Sequence, residues 1–192
     1  MPLLVRFGNA LGVAVLSLVL AVAFALQFLQ HDLPCPLCLL QRVAVGLCGL
    51  GFVLNLRFGA QPSHYGLTLL GALFGATAAG RQVLQYVVPG SGTSGSIVRG
   101  LHLYSWSLLV FLAVIAGVGL LLIVSGSGRF DHMRSDAHAA ARFTGLSRLM
   151  TSVLIILVLA NAVITFAQCG PVECAANPAD YWIVKYLPAF IR

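Results

Sequence analysis

Five apolar stretches, at residues 7–30, 38–56, 65–88, 101–124 and 149–168, contain no acidic residue and only two arginines, Arg42 and Arg81. A helix needs about 20 apolar residues to cross a hydrocarbon core of about 30 Å, so each stretch reads as a membrane-spanning helix. With 59% hydrophobic and 8% charged residues, 192 residues carry more apolar surface than one soluble globule can shelter. The fold class expected is therefore an all-α polytopic membrane bundle of five transmembrane helices in a single membrane domain. The net charge of +6 comes from basic residues scattered singly between apolar runs. They make no phosphate-tracking patch, which argues against nucleic acid as a partner. The first run is too long for a signal-peptide core and has no small-residue cleavage site before its end, so it is expected to remain as a helix.

The second run is the informative one. Residues 43–56 alone are too short to cross the core at about 1.5 Å per residue, so the helix is expected to start near Cys38. That start puts Arg42 within the membrane boundary, where an arginine either snorkels to the head groups or faces a partner or cavity. Loop arginines set the orientation. Arg6, Arg57, Arg129, Arg134, Arg142 and Arg148 fall on one side, against Arg99, Lys185 and Arg192 on the other. By the positive-inside tendency the first side is cytoplasmic. A bacterial inner-membrane protein with a cytoplasmic N-terminus is expected, its C-terminal segment 169–192 periplasmic.

The connections read as loops: PGSGTSGS at 89–96 outside, and a Gly-, Ser-, Ala-, His- and Arg-rich hairpin at 125–147 inside. Residues 179–192 (ADYWIVKYLPAFIR) suit a short interfacial helix interrupted near Pro188. His102, Tyr104 and Trp106 fit a head-group belt at the outer start of the fourth helix. His31 and Asp32 read as interfacial polar residues, and His132 and His138 do not resemble a metal site.

Of the five cysteines, Cys48 lies mid-helix and reads as a small buried hydrophobe. Cys35 and Cys38 form a C-x2-C pair, Cys169 and Cys174 a C-x4-C pair, and the topology puts both on one external face. Three readings remain open: two structural disulfides on a non-enzymatic scaffold, a four-thiolate zinc site, or two redox pairs in series. An oxidising compartment removes the thiolates that zinc needs. A bundle of apolar helices gains little from staples. The redox reading gains from Arg42, one turn inward of Cys38 at i+4, and from a helix N-terminus that favours an anion. Together they are expected to hold Cys38 as a thiolate, the attacking form. Gln41, at i+3, can add a hydrogen bond. A guanidinium at this boundary would also stabilise the charge on a lipid-soluble quinone as it is reduced.

These residues carry a resemblance. CPLCLLQR between the first two helices, Arg81 in GRQV near the outer end of the third, and a second external cysteine pair resemble the DsbB-type quinone-dependent disulfide-forming membrane proteins, in register over residues 7–88. The resemblance implies a four-helix core beside the C-x2-C pair, here with one helix added. It also implies ubiquinone or menaquinone as cofactor and a periplasmic DsbA-like thioredoxin-fold protein as partner. Electrons would pass from that partner to Cys169 and Cys174, then to Cys35 and Cys38, then to quinone. Residue by residue, Cys38 resembles the quinone-proximal sulfur, Cys35 the sulfur that exchanges with the second pair, and Arg42, with Gln41 and Arg81, the quinone contacts. The departure is the second pair. The family places it between helices three and four, whereas here it follows a fifth helix. By sequence order Cys169 is the partner-facing thiol.

Overall fold

The computed structural model describes residues 3–30, 33–87, 97–125, 145–171, 174 and 181–184. Helix α1 spans Leu3–Gln30, α2 Pro36–Phe58, α3 Pro62–Tyr86, α4 Leu103–Ser125 and α5 Gly145–Cys169. All five are long and apolar enough to cross a membrane, and the chain is a polytopic all-α membrane bundle. Successive helices alternate in direction. The end of the bundle where α1, α3 and α5 finish and α2 and α4 begin is called the cysteine end below.

Helix α2 starts at Pro36 and not at Cys38. Proline loses nothing at the first helical position, where its fixed φ is already helical and its missing N–H would have had no partner. Pro62 opens α3 in the same way. Ahead of α4 the chain makes a short hairpin, β1 (Ile97–Val98) pairing antiparallel with β2 (Leu101–His102). Residues 101–102, read from sequence as the start of the fourth helix, belong to this hairpin. Its two-residue turn has positive φ at both positions, 51° at Arg99 and 81° at Gly100, the backbone that matches the twist of a tight hairpin. The Trp106 indole N–H donates to the Val98 carbonyl at 3.0 Å and ties the hairpin to α4.

Helix α2 is central, packing on α3, α1 and α5, while α3 packs on α4 and α1 on α5. The core joins Val13, Leu16 and Leu20 of α1 to Val45, Cys48 and Phe52 of α2, Tyr65 and Ala72 of α3, Phe111 of α4 and Leu154 of α5. Small residues permit the close approach, as in membrane helix pairs generally. A Cβ on Gly51 would strike Thr68 and the His64 carbonyl, and one on Gly75 would strike the Phe111 ring. The outward faces of α4 and α5 expose leucines, isoleucines and valines, including Leu120, Ile123, Ile156 and Val163, the surface a bilayer covers.

At the end opposite the cysteines a buried polar network fixes the turn between α2 and α3. Asn55 Nδ2 donates to Asn9 Oδ1 at 2.9 Å, and Asn9 Nδ2 donates to the Tyr65 hydroxyl at 2.8 Å. Asn55 Oδ1 accepts the Gln61 amide N–H at 3.1 Å and lies 3.0 Å from His64 Nδ1. Where water is absent these groups must satisfy one another. The expected loops at 89–96 and 125–147 and the interfacial helix at 179–192 fall largely outside the described residues, as do His31, Asp32, His132 and His138. Of the last segment, residues 182–184 form a helical turn.

Candidate redox site at the cysteine end

The sequence Cys-Pro-Leu-Cys builds its own corner. Cys35 is the N-cap of α2, with φ −67° and ψ 162°, and Pro36 begins the helix. Cys38 thereby falls at the third helical position, where a backbone N–H has no partner within the helix. That N–H donates to Cys35 Sγ at 3.2 Å, so a sulfur takes the place a serine or aspartate oxygen would hold. The two sulfurs are thus brought together by the helix start itself. Both residues are half-buried free cysteines. Hydrogen bonding with the Cys38 sulfur and then burial push the Cys35 thiol above its ordinary range.

Gln82 of α3 reaches across to both sulfurs. Its Nε2 lies 3.4 Å from Cys35 Sγ and 3.5 Å from Cys38 Sγ, and the Cys38 thiol faces Gln82 Oε1 at 3.8 Å. Gln41 donates to Gln82 Oε1 at 2.8 Å, so its hydrogen bond goes to the amide that holds the sulfurs and not to Cys38 itself. Arg42 is fastened to α1. Nη1 donates to Gln27 Oε1 at 2.6 Å, Nη2 to the Ala23 carbonyl at 3.1 Å, and the guanidinium stands 5.0 Å from the centre of the Phe24 ring. This half-buried cation on the border of α1 and α2 is held in place and not left to snorkel. Arg81, also marked out in the sequence, is exposed. The side chain that this turn of α3 sends to the cysteines is its neighbour, Gln82.

The second pair is a disulfide, Cys169–Cys174, with Cα atoms 4.7 Å apart. It sits where α5 ends, closed by the Gly170 N–H donating to the Phe166 carbonyl at 2.8 Å. Gly170 has φ of 66°, and a Cβ there would strike the Trp182 ring, so the glycine serves both the turn and the close packing. Two hydrogen bonds join this region and the segment after it to the start of α2 and the end of α1. Gln168 Nε2 donates to the Pro34 carbonyl at 2.7 Å, one residue before Cys35, and Gln27 Nε2 donates to the Tyr181 hydroxyl at 3.0 Å. The sequence-derived relay residues Cys35, Cys38, Cys169 and Cys174 therefore lie at one end of the bundle, with a bridge between the segments that carry them.

Gln82, Gln27, Gln168 and Tyr181 were not singled out from sequence. A signal existed: Gln27, Gln41, Gln82 and Gln168 each stand in the outer turns of an apolar helix, and all are at least 95% buried. An uncharged amide in a membrane helix needs a partner on another helix or on the adjoining chain, and these four find theirs around the cysteines and Arg42. Cys48, by contrast, is fully buried mid-bundle, its thiol 3.5 Å from the Thr68 carbonyl.

Chemically, the arrangement offers a closely held dithiol with amide donors on both sulfurs, a fixed cation one helical turn inward, and a second disulfide tethered beside it. The family model described as Disulfide bond formation protein DsbB matches residues 5–168, a span that ends just before Cys169. Over 93 residues the chain is 37% identical to Disulfide bond formation protein B of Nitrosomonas eutropha, covering 44% of this chain and 57% of that protein. Over 90 residues it is 34% identical to the protein of the same name from Chromohalobacter salexigens, covering 44% and 52%. A third such protein, from Xylella fastidiosa, is 32% identical over 148 residues, covering 73% of this chain and 77% of its own length. The chain spans just over half the length of the first two. No solved structure matches it.

Proposed function

Because the chain belongs to the DsbB family of disulfide bond formation proteins, we propose that it is a membrane protein-dithiol:quinone oxidoreductase that reoxidises a periplasmic thioredoxin-fold dithiol protein of the DsbA type. The observation that carries this reading is Gln82 bridging Cys35 and Cys38 at the start of α2, with Arg42 fixed one turn further in. The membrane is the bacterial inner membrane, and the cysteine end faces the periplasm, as the loop arginines suggest.

The residues suit a quinone. Arg42 presents a cation at the border of α1 and α2, Phe24 stacks against it, and Phe28, Leu40 and Val43 are exposed on the same end of these helices. Ubiquinone or menaquinone supplies a bilayer-soluble acceptor of two electrons and two protons. The chain's own groups do the rest. Cys35 takes up exchange with the second pair, which releases Cys38, within reach of Gln82 and one helical turn before Arg42. Gln82 donates to whichever sulfur carries charge, and Gln41 holds Gln82 in place by donating to its Oε1. Arg42, pinned by Gln27 and Ala23, places a donor toward negative charge developing on an acceptor beside Cys38, in a setting where low dielectric strengthens the effect. The Gln168 bridge keeps the second pair close enough for exchange through mixed disulfides.

The test is quinone absorbance. Purified protein in detergent, given ubiquinone or menaquinone and a reduced thioredoxin-fold dithiol protein, is expected to consume quinone, with loss of turnover in Cys35→Ala and Cys38→Ala. Unchanged turnover in Cys38→Ala overturns the reading.

A further inference from the structure

The two sulfurs of the second pair differ in their surroundings. Cys169 is only 7% exposed at the last position of α5. The residue before it, Gln168, is 5% exposed and donates to the Pro34 carbonyl at 2.7 Å, on the chain that leads directly into Cys35. The residue after it, Gly170, packs against the Trp182 ring. Cys169 is therefore enclosed on the side of the first pair. Cys174, across the disulfide, is half-buried.

We propose that the relay runs through this pair against its order in the chain: Cys174 is the sulfur that the thioredoxin-fold partner attacks, and Cys169 is the one that exchanges with Cys35. The inference rests on the relay reading above and deepens it by assigning each sulfur its neighbour. Thiol–disulfide exchange needs the attacking sulfur to reach one sulfur of the bond while the other leaves. Cys174 is the less buried of the two sulfurs and so the one assigned to a bulky partner, and Cys169 is then the leaving sulfur on the inner side.

The steps balance as follows. The partner's thiolate forms a bond to Cys174 Sγ, the Cys169–Cys174 bond breaks, and Cys169 departs as thiolate. Cys169 attacks Cys35 of an oxidised Cys35–Cys38 pair, forming Cys169–Cys35 and releasing Cys38 as thiolate. The partner's second thiol, giving up its proton to solvent, attacks its own sulfur in the mixed disulfide. It leaves as an oxidised protein and frees Cys174. Cys174 then attacks Cys169, restoring Cys169–Cys174 and freeing Cys35. The net result is two electrons moved from the partner's dithiol to Cys35 and Cys38, which the quinone removes in the proposed reaction.

Mapping the sulfurs tests this. Thioredoxin with its second active-site cysteine replaced by serine is mixed with the oxidised full-length protein, quenched with N-ethylmaleimide and digested without reductant by an endoprotease that cleaves after glutamate. With trypsin added, cleavage at Arg42, Arg148, Glu173 and Lys185 puts Cys169 and Cys174 on separate fragments, both apart from Cys35 and Cys38. The expected result is the thioredoxin peptide mass on the Cys174 fragment; the same mass on the Cys169 fragment overturns the proposal. In a second arm, Cys38→Ala leaves Cys35 free to attack the second pair. A Cys35–Cys169 linkage with Cys174 alkylated supports the proposal. A Cys35–Cys174 linkage overturns the assignment of sulfurs and leaves the relay standing, whereas neither linkage overturns the relay and this assignment with it.

Discussion

Gln82 touches both sulfurs through one amide, so replacing it acts on the chemistry without moving a cysteine. Gln82→Leu keeps the volume and removes the donor. A hydrogen bond to a charged group is worth about 1.5–3 kcal/mol, so quinone-coupled dithiol oxidation is expected to slow about 10-fold or more in kcat, with the quinone KM little changed because Arg42 keeps its contacts to α1. A fall in expression with unaltered kcat would make Gln82 a packing residue. A second test concerns Cys35. Its raised pKa leaves less thiolate than a free cysteine of pKa about 8.5 has at the same pH. In the reduced protein, iodoacetamide is therefore expected to alkylate Cys35 more slowly than an unstructured cysteine peptide at pH about 8.5. Its rate should keep rising at higher pH, and Cys38→Ala, which removes the largest cause, should speed it. Peptide mass spectrometry reads both. At this scale the sequence exposed charges better than amides. Arg81 drew attention because an arginine in an apolar run is costly, yet adjacent helical residues point about 100° apart, and it is Gln82 that faces the cysteines.

Among the elements, legibility followed hydrophobicity. All five helices were visible as apolar runs, because a span of the bilayer demands that length of apolar sequence. Their starts were less visible. Pro36 and Pro62 open α2 and α3 ahead of the apolar residues, since helix starts are set by capping and proline geometry more than by hydropathy. The hairpin at 97–102 was hidden because its strands are two residues each and merge with the apolar run that follows. The joint between α2 and α3 depends on Asn55, which is fully buried and serves Asn9, Gln61 and His64 at once. Asn55→Leu leaves those partners unmatched in a buried setting. It is expected to destabilise the bundle by about 1–3 kcal/mol, measured as a lower thermal midpoint in detergent, while the Cys35–Cys38 chemistry at the opposite end continues in the protein that remains folded. An unchanged midpoint would mean that other groups replace its contacts.

For the whole molecule the question is how a cysteine pair placed after a fifth helix comes to lie at the same end as a pair placed after the first. Sequence put both pairs on one face by counting crossings, but it could not say how far apart they lie, because that distance depends on long-range packing. Helix α5 packs on α1 and α2, and Gln168 fastens its end to Pro34. Tyr181, accepting from Gln27, ties the following segment to the residue that also holds Arg42. The cysteine end is thus one connected polar assembly built on α1, α2, α3 and α5 and the segments beside them. If the Gln168 bridge serves relay and not folding alone, Gln168→Leu should separate two rates. A small dithiol such as dithiothreitol is expected to reduce Cys35–Cys38 without the second pair, and its quinone-coupled oxidation to match the unaltered protein. In the proposed relay a thioredoxin-fold dithiol is oxidised through Cys169–Cys174, so its oxidation is expected to slow about 3- to 10-fold, the loss of one buried hydrogen bond of about 1 kcal/mol or slightly more. Equal slowing with both donors would place the bridge in the general architecture of the bundle. Slowing with the protein donor alone would tie the added fifth helix to the approach of the second pair, which is the step that relocating the cysteines most directly puts at risk.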